Sequence, residues 1–199
     1  MSMTDQLIRL YFLTIANTRF INEFFRRDAG CCISFRVGVT VSGAGNFVNR
    51  YLCGMEHKIE QAGEADFREI TEVWEASVRA THDFLTEEDI RFYKPLILNE
   101  YLKAVKLYCV RNAAGDIAGF MGIADNKLEM LFVHPGARGT GIGKTLLSYA
   151  IAHEKVTAVD VNEQNGQAVG FYLHEGFKIL SRSATDGMGK PFPILSMGL

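Results

Sequence analysis

Residues 128–145 read Leu128-Glu-Met-Leu-Phe-Val133-His-Pro-Gly-Ala-Arg138-Gly-Thr-Gly-Ile-Gly143-Lys-Thr145. An apolar run of strand type ends at Val133. A short turn through Pro135 follows, and Gly139, Gly141 and Gly143 then alternate into the start of an amphipathic helix. A glycine-rich turn at a helix start leaves backbone N–H groups unpaired and convergent, and the helix dipole adds partial positive charge there. Arg138 and Lys144 bracket the turn with formal charge, so the stretch predicts a site for phosphates.

Spacing separates the phosphate-binding patterns that compete for this turn. A Walker A loop requires glycine where Arg138 stands, five positions before Gly143-Lys144-Thr145. A dinucleotide fingerprint requires glycine at Lys144 or at Leu146, depending on its start. Both readings fail on register. What fits is Arg-Gly-x-Gly-x-Gly over Arg138, Gly139, Thr140, Gly141, Ile142 and Gly143, after Val133-x-Pro135. This resembles the acyl-CoA pyrophosphate loop of the GNAT superfamily of N-acetyltransferases. The bland alternative, a glycine connection with no ligand, is disfavoured by the entropic cost of glycine at a bare helix start.

The 199 residues suit one domain with a short appendage, and 48% apolar content with a net charge of −2 suits an ordinary packed core. No basic excess points to nucleic acid. No apolar run reaches the roughly 18 residues that span a bilayer, and Leu7–Ala16, interrupted by Arg9 with no basic residue before it, does not read as a signal peptide. Cys31, Cys32, Cys53 and Cys109 contain no C-x-x-C pair, which favours free thiols in a reducing compartment over a metal clamp or a disulfide.

Residues 1–54 differ from the rest. Tyr11–Phe25 is compatible with a helix and Phe35–Val41 with a strand, but no recognisable chemistry appears, and Met55 is a second possible translation start. The segment reads as a non-catalytic N-terminal extension, possible as an artefact of where the chain is taken to begin, ahead of a catalytic domain over 55–199. From there strands and helices alternate. His57–Gln61 is a strand; Glu64–Ala80 is an amphipathic helix by its apolar steps Phe67, Ile70, Val73, Trp74 and Val78. Thr86 and Asp89 form an N-cap pair for a second helix, kinked or broken by Pro95. Leu107–Arg111 and Ile117–Ile123 flank the hairpin signal Asn112–Asp116, and Leu128–Val133 follows a turn at Ala124–Lys127. A helix to about His153, a strand Val156–Val161, a helix Gln167–His174 stopped by Gly176, and strands Phe177–Leu180 and Ile194–Met197 complete the chain. The order β-α-α-β-β-β-α-β-α-β-β is that of the GNAT fold. The resemblance therefore implies an α+β architecture: a mixed, mostly antiparallel sheet with helices on both faces and a splayed parallel pair formed by the fourth and fifth strands.

A second segment, Val161-Asn-Glu-Gln-Asn165-Gly-Gln-Ala168-Val-Gly-Phe-Tyr172-Leu-His-Glu-Gly176-Phe177, resembles the superfamily's other cofactor motif. The resemblance assigns Asn165 and Ala168 to the pantetheine arm and puts Tyr172 near the thioester sulfur. The arm would run as a pseudo-strand paired with backbone groups of Leu131, Phe132 and Val133. Amide formation needs a neutral amine, although a free lysine has a pKa near 10.4. It also needs a proton for the departing thiolate, and the Tyr172 phenol is matched to that role. A structural role for Tyr172 as a core aromatic is the competing reading. The base is open between Glu129, which strict alternation places on the face of Leu131 and Val133, His82 in the linker Thr81-His-Asp-Phe84-Leu85, and a water chain. His82, Phe84 and Glu129 are the acceptor-side candidates. His134 reads as exposed, and His153 and His174 as helix-end cations.

More narrowly, Arg79–Leu85, Val161–Asn165, Gln167–Tyr172 and Gly189-Lys-Pro-Phe-Pro193 are similar to bacterial YjaB-type N-acetyltransferases, a group acting on peptidyl lysine. The resemblance implies an acetyl-CoA-dependent, metal-free, cytoplasmic N-acetyltransferase, monomeric or homodimeric. Its acceptor would be a primary amine of a protein lysine or a small molecule, with no nucleic-acid or membrane partner. A non-catalytic acyl-CoA sensor on the same fold is the alternative, and a P-loop hydrolase is disfavoured by Arg138. Deleting residues 1–54 is expected to leave acetyl-CoA binding intact by calorimetry; loss of binding would make that segment part of the domain.

Overall fold

The computed structural model describes residues 57–187 and 189–199. The expectations for Tyr11–Phe25, Phe35–Val41, Cys31, Cys32 and Cys53 lie outside the described residues. Among them, strands are β1 (Ile59–Gln61), β2 (Lys106–Arg111), β3 (Ile117–Ala124), β4 (Lys127–Val133), β5 (Ala158–Asn162), β6 (Lys178–Ser183) and β7 (Ile194–Gly198). Helices are α1 (Phe67–Arg79), α2 (Glu87–Leu96), α3 (Ile142–Glu154) and α4 (Gly166–His174). The seven strands form one sheet in the order β1-β2-β3-β4-β5-β7-β6, antiparallel everywhere except between β4 and β5. This is the α+β arrangement expected from the element order.

Alternation along β2 sorts the core into two layers. Leu107 and Cys109 join α1 and α2 residues such as Ile70, Trp74 and Tyr93, whereas Tyr108 and Val110 join α3 and α4 residues such as Leu146, Leu147 and Tyr172. Burial in the first layer pushes the Cys109 thiol above its ordinary pKa. Asp125 and Asn126 take left-handed φ values of 48° and 61°, the signature of a tight two-residue hairpin joining β3 to β4. The Asn112 side chain accepts from the N–H groups of Ala114 and Asp116 at 2.8 and 3.0 Å, closing the other hairpin.

Thr86 and Asp89 cap α2 reciprocally. Of the two outcomes the sequence leaves open, a kink or a break, no break occurs at Pro95. The helix passes through it to Leu96 and then widens into a π turn over Ile97–Tyr101, closed by Leu102 N–H on the Ile97 carbonyl at 3.2 Å. Proline deletes the donor that would reach the Arg91 carbonyl, just before the widened segment begins.

The β4–β5 pairing decides the site. Its register contains only Lys127↔Ala158 and Leu128↔Val159, so the two strands part beyond those rungs toward Val133 and Asn162. The opening lies at the end where β4 runs into the glycine turn. Close packing holds that turn in place: a Cβ at Gly119 would fall 2.8 Å from Ile142 Cγ2, at the first residue of α3, and 3.1 Å from the Phe132 carbonyl. Gly119→Ala is accordingly expected to destabilise the domain by about 1–3 kcal/mol in urea unfolding through overpacking, with α3 displaced from β3.

Candidate functional site

The turn between β4 and α3 is built from local hydrogen bonds. His134 Nδ1 accepts from Gly136 N–H at 3.1 Å, and the Thr140 hydroxyl donates to the Ala137 carbonyl at 2.7 Å. The Thr140 carbonyl lies 2.8 Å from His57 Nε2. Gly139 and Gly141 adopt φ of 75° and 89°, conformations that side chains rarely take, and Gly141 is the residue from which α3 starts. The first intrahelical bond is Thr145 N–H to the Gly141 carbonyl at 2.9 Å. The N–H groups of Ile142, Gly143 and Lys144 therefore precede the helical ladder and point out of the helix N-terminus.

The two formal charges at this turn are engaged by the protein. Arg138 Nη2 reaches the Ser77 carbonyl and hydroxyl on α1 at 3.3 and 3.4 Å, and Lys144 pairs with Glu175 at 3.3 Å. Backbone donors are thus the part of this turn open to an anion, with the side-chain charges beside them.

Arg138 also links the turn to the α1–α2 linker. The Thr81 hydroxyl donates to the same Ser77 carbonyl at 2.6 Å and lies 2.9 Å from His82 Nδ1. Its single proton is directed at Ser77, so the imidazole Nδ1 is the donor of that second bond. His82 is 3% exposed, and its ring meets Phe84 at 5.2 Å, which meets Phe192 at 5.6 Å. The structure thus brings His82 and Phe84 together with the β6–β7 connection.

That connection is tied down from two sides. Lys190 Nζ bonds Asp89 Oδ1 on α2 at 2.8 Å, and its backbone N–H bonds Asp186 Oδ1 at 2.8 Å. The ammonium also sits 5.2 Å from the Tyr93 ring centre. At its far end the Pro193 carbonyl accepts from Glu163 N–H at 2.8 Å, just past β5. The hydrogen bond from Lys190 holds the Asp89 carboxyl below its ordinary pKa.

Glu129 is buried rather than solvated, and it departs from strict alternation. Gly122 opposes Met130 while Ile123 opposes Leu128, so Glu129 is the extra residue of a β-bulge. Leu128, Leu131 and Val133 all pack in the α3 layer, whereas Glu129 lies 3.7 Å from Lys127 Nζ. Lys127 also pairs with Asp160, which alternates with Val159 and Val161 and so lies on the α1 face of β5. The bulge turns the Glu129 carboxylate to that same face. A sequence without its partner strand cannot show a bulge.

On the other border, Asn165 is wholly buried and its Oδ1 accepts from Ala168 N–H at 2.9 Å, capping α4. Tyr172 is also wholly buried, edge-on to Phe171 and Phe177 at 5.1 and 5.5 Å. Burial pushes its phenol above the ordinary range, so it holds its proton at neutral pH. Leu131, Phe132 and Val133 lie on the stretch of β4 beyond its two rungs with β5. Sequence reasoning missed Lys127, Asp160, Phe192, the Lys190–Asp89 pair and Asn162. The signals on hand were the Gly189–Pro193 segment, quoted for its similarity without a role, and the Val161–Asn165 run, in which Asn162 stood without one. Among the described residues, no group of three or more His, Cys, Asp or Glu is placed to hold a metal ion, and no helix is long and apolar enough to cross a membrane.

A family model described as an acetyltransferase (GNAT) domain matches residues 82–189. The peptidyl-lysine N-acetyltransferase YjaB of Escherichia coli is 36% identical over 139 residues, covering 70% of this chain and 94% of that protein. The solution structure of apo YjaB superposes with a TM-score of 0.65 at 35% identity, over 72% of this chain and 97% of that one. The PaiA N-acetyltransferase of Thermoplasma acidophilum, solved with coenzyme A, gives a TM-score of 0.55 at 25% identity, over 73% and 100% of the two chains.

The tether gives a pH-dependent stability term. A depressed folded-state pKa stabilises above the unfolded value and loses that stabilisation as pH falls through the folded one. Lys190→Met should therefore cost about 0.5–1 kcal/mol at pH 7, since the pair is partly exposed. The difference from the parent protein in urea unfolding should begin to shrink as the pH drops below 3.8, the ordinary value for aspartate, and lose its ion-pair share as the pH falls through the lower folded-state value.

Proposed function

The chain belongs to the GNAT acetyltransferase family and is an acetyl-CoA-dependent N-acetyltransferase, and from that premise we propose that its acceptor is the ε-amino group of a protein lysine. The observation that carries the acetyl-CoA part of this reading is the parallel β4–β5 pair that parts after two rungs and opens onto a helix N-terminus. Support for the lysine comes from the 36% identity to YjaB, itself a peptidyl-lysine N-acetyltransferase. Glu129 and Asp160 share Lys127 on the face of the sheet that also carries α1 and α2, and the net negative charge left there suits a cationic side chain.

Acetyl-CoA, when bound, supplies a thioester-activated acyl carbonyl and a thiol leaving group. In our reading the N–H groups of Ile142, Gly143 and Lys144, with Arg138, Gly139, Thr140 and Gly141 shaping the turn, bind its pyrophosphate. Leu131, Phe132 and Val133 offer backbone donors and acceptors along the unpaired side of β4, by the logic of strand addition. Asn165 and Ala168 border the arm on the opposite wall. A backbone N–H at Phe132 or Val133 faces the developing negative charge. Tyr172 Oη keeps a proton for the departing thiolate, which its buried, protonated state favours. Glu129 receives the acceptor and takes up its proton directly or through water, and His82 and Phe84 line the approach. Residues 1–54 are an extension without catalytic groups, and the enzyme acts in the cytoplasm as a monomer or homodimer.

Tyr172→Phe tests the chemistry. It should lower kcat by about a hundredfold or more, while the calorimetric Kd for CoA stays within twofold. Unchanged turnover would remove Tyr172 from the mechanism. Mass spectrometry of lysine peptides set against small amines tests the acceptor, and acetylation of small amines alone would overturn the lysine.

A further inference from the structure

Asn162 ends β5, three residues beyond the last rung that β5 shares with β4, so its β4 side borders the opening. It is completely buried. Its Oδ1 accepts from Gln164 N–H at 2.8 Å, but its Nδ2 has no hydrogen-bond partner. A buried amide donor left unmatched is costly and uncommon, so such a group calls for an explanation in function. Its location supplies one. By alternation Asn162 shares the α1 face of β5 with Asp160, and in the sheet it opposes Ile194 of β7. The next residue, Glu163, bonds the Pro193 carbonyl, so Asn162 lies beneath the strap that carries Phe192.

We propose that Asn162 Nδ2 donates a hydrogen bond to a carbonyl oxygen of the acyl-pantetheine arm where that arm passes between β4 and β5. The inference rests on the acetyl-CoA reading above and adds a binding residue to it. The chemistry of the donor selects the partner. An acceptor lysine arrives as an ammonium, which has only donors, and once neutral it must keep its one lone pair for the thioester carbon. The arm brings amide and thioester carbonyls, which only accept. The net negative charge of the Glu129–Lys127–Asp160 cluster suits the first substrate, and the Asn162 amide suits the second. Asn165 has its Oδ1 committed to the α4 cap, whereas the Asn162 Oδ1–Gln164 bond fixes the amide plane and leaves Nδ2 the donating edge.

Asn162→Asp keeps the oxygen that accepts from Gln164 and removes the donor; Asn162→Ala removes both. Calorimetric titration of each variant with CoA and with acetyl-CoA, alongside the unliganded melting temperature, reads the effect. About tenfold weaker binding of both ligands by both variants places the bond on a pantetheine amide. Weakening confined to acetyl-CoA places it on the thioester carbonyl. Affinities within twofold of the parent for both ligands, or a change only in KM for the acceptor, would overturn the proposal. So would failure of both variants to fold, because a donor needed by the unliganded fold is not reserved for a ligand. Absence of CoA binding by the parent protein would instead sink the acetyl-CoA reading itself.

Discussion

Parallel strands normally share a long ladder, and here the ladder between β4 and β5 stops after Leu128↔Val159. Each strand keeps its other neighbour, β3 for β4 and β7 for β5, so the sheet tolerates the gap. Backbone groups along the facing sides are left to pair with something extended. The rest of the architecture surrounds that interruption: a helix N-terminus at its mouth, aromatic packing from α4 behind it, and two linkers closing over the α1 face.

Charge is divided across the opening. Backbone donors at residues 142–144 lie at the helix N-terminus on one side, while Glu129, Lys127 and Asp160 form a mixed cluster on the face that carries α1 and α2. Arg138 and Ser77 connect the two regions, and Thr81 carries the connection to His82. The glycine turn and the α1–α2 linker are therefore parts of one hydrogen-bonded assembly. Asp89 serves both levels of structure. It caps α2 through Thr86 and anchors Lys190 of the β6–β7 strap.

Local features were legible from residues alone because their causes are local. The glycine turn, the Thr86–Asp89 cap, the Asn112 hairpin and the Gly176 stop each depend on a few neighbouring residues, and all appear with bounds within a few positions. Pro95 is the exception. Proline removes a helical donor wherever it sits, but whether the helix ends or widens depends on what packs around it, here the buried Ile97 and Tyr101. Glu129 shows the other limit. Alternation assigned it a face, and a bulge set by pairing with β3 assigned it another.

The sequence by itself determined the element order, the helix starts and the register argument that removed ATP and dinucleotides from the glycine turn. These follow from backbone conformational preference and short-range hydrogen bonding. Tertiary structure alone decided how far β4 and β5 stay paired, which face the Glu129 carboxylate takes, and that Lys190 crosses 101 positions of chain to reach Asp89. It also decided that Asn162, unremarkable beside Asn165 in the sequence, is the amide whose donor stays unmatched. Burial and satisfaction of a polar group depend on every element packed around it, and no window of sequence contains them.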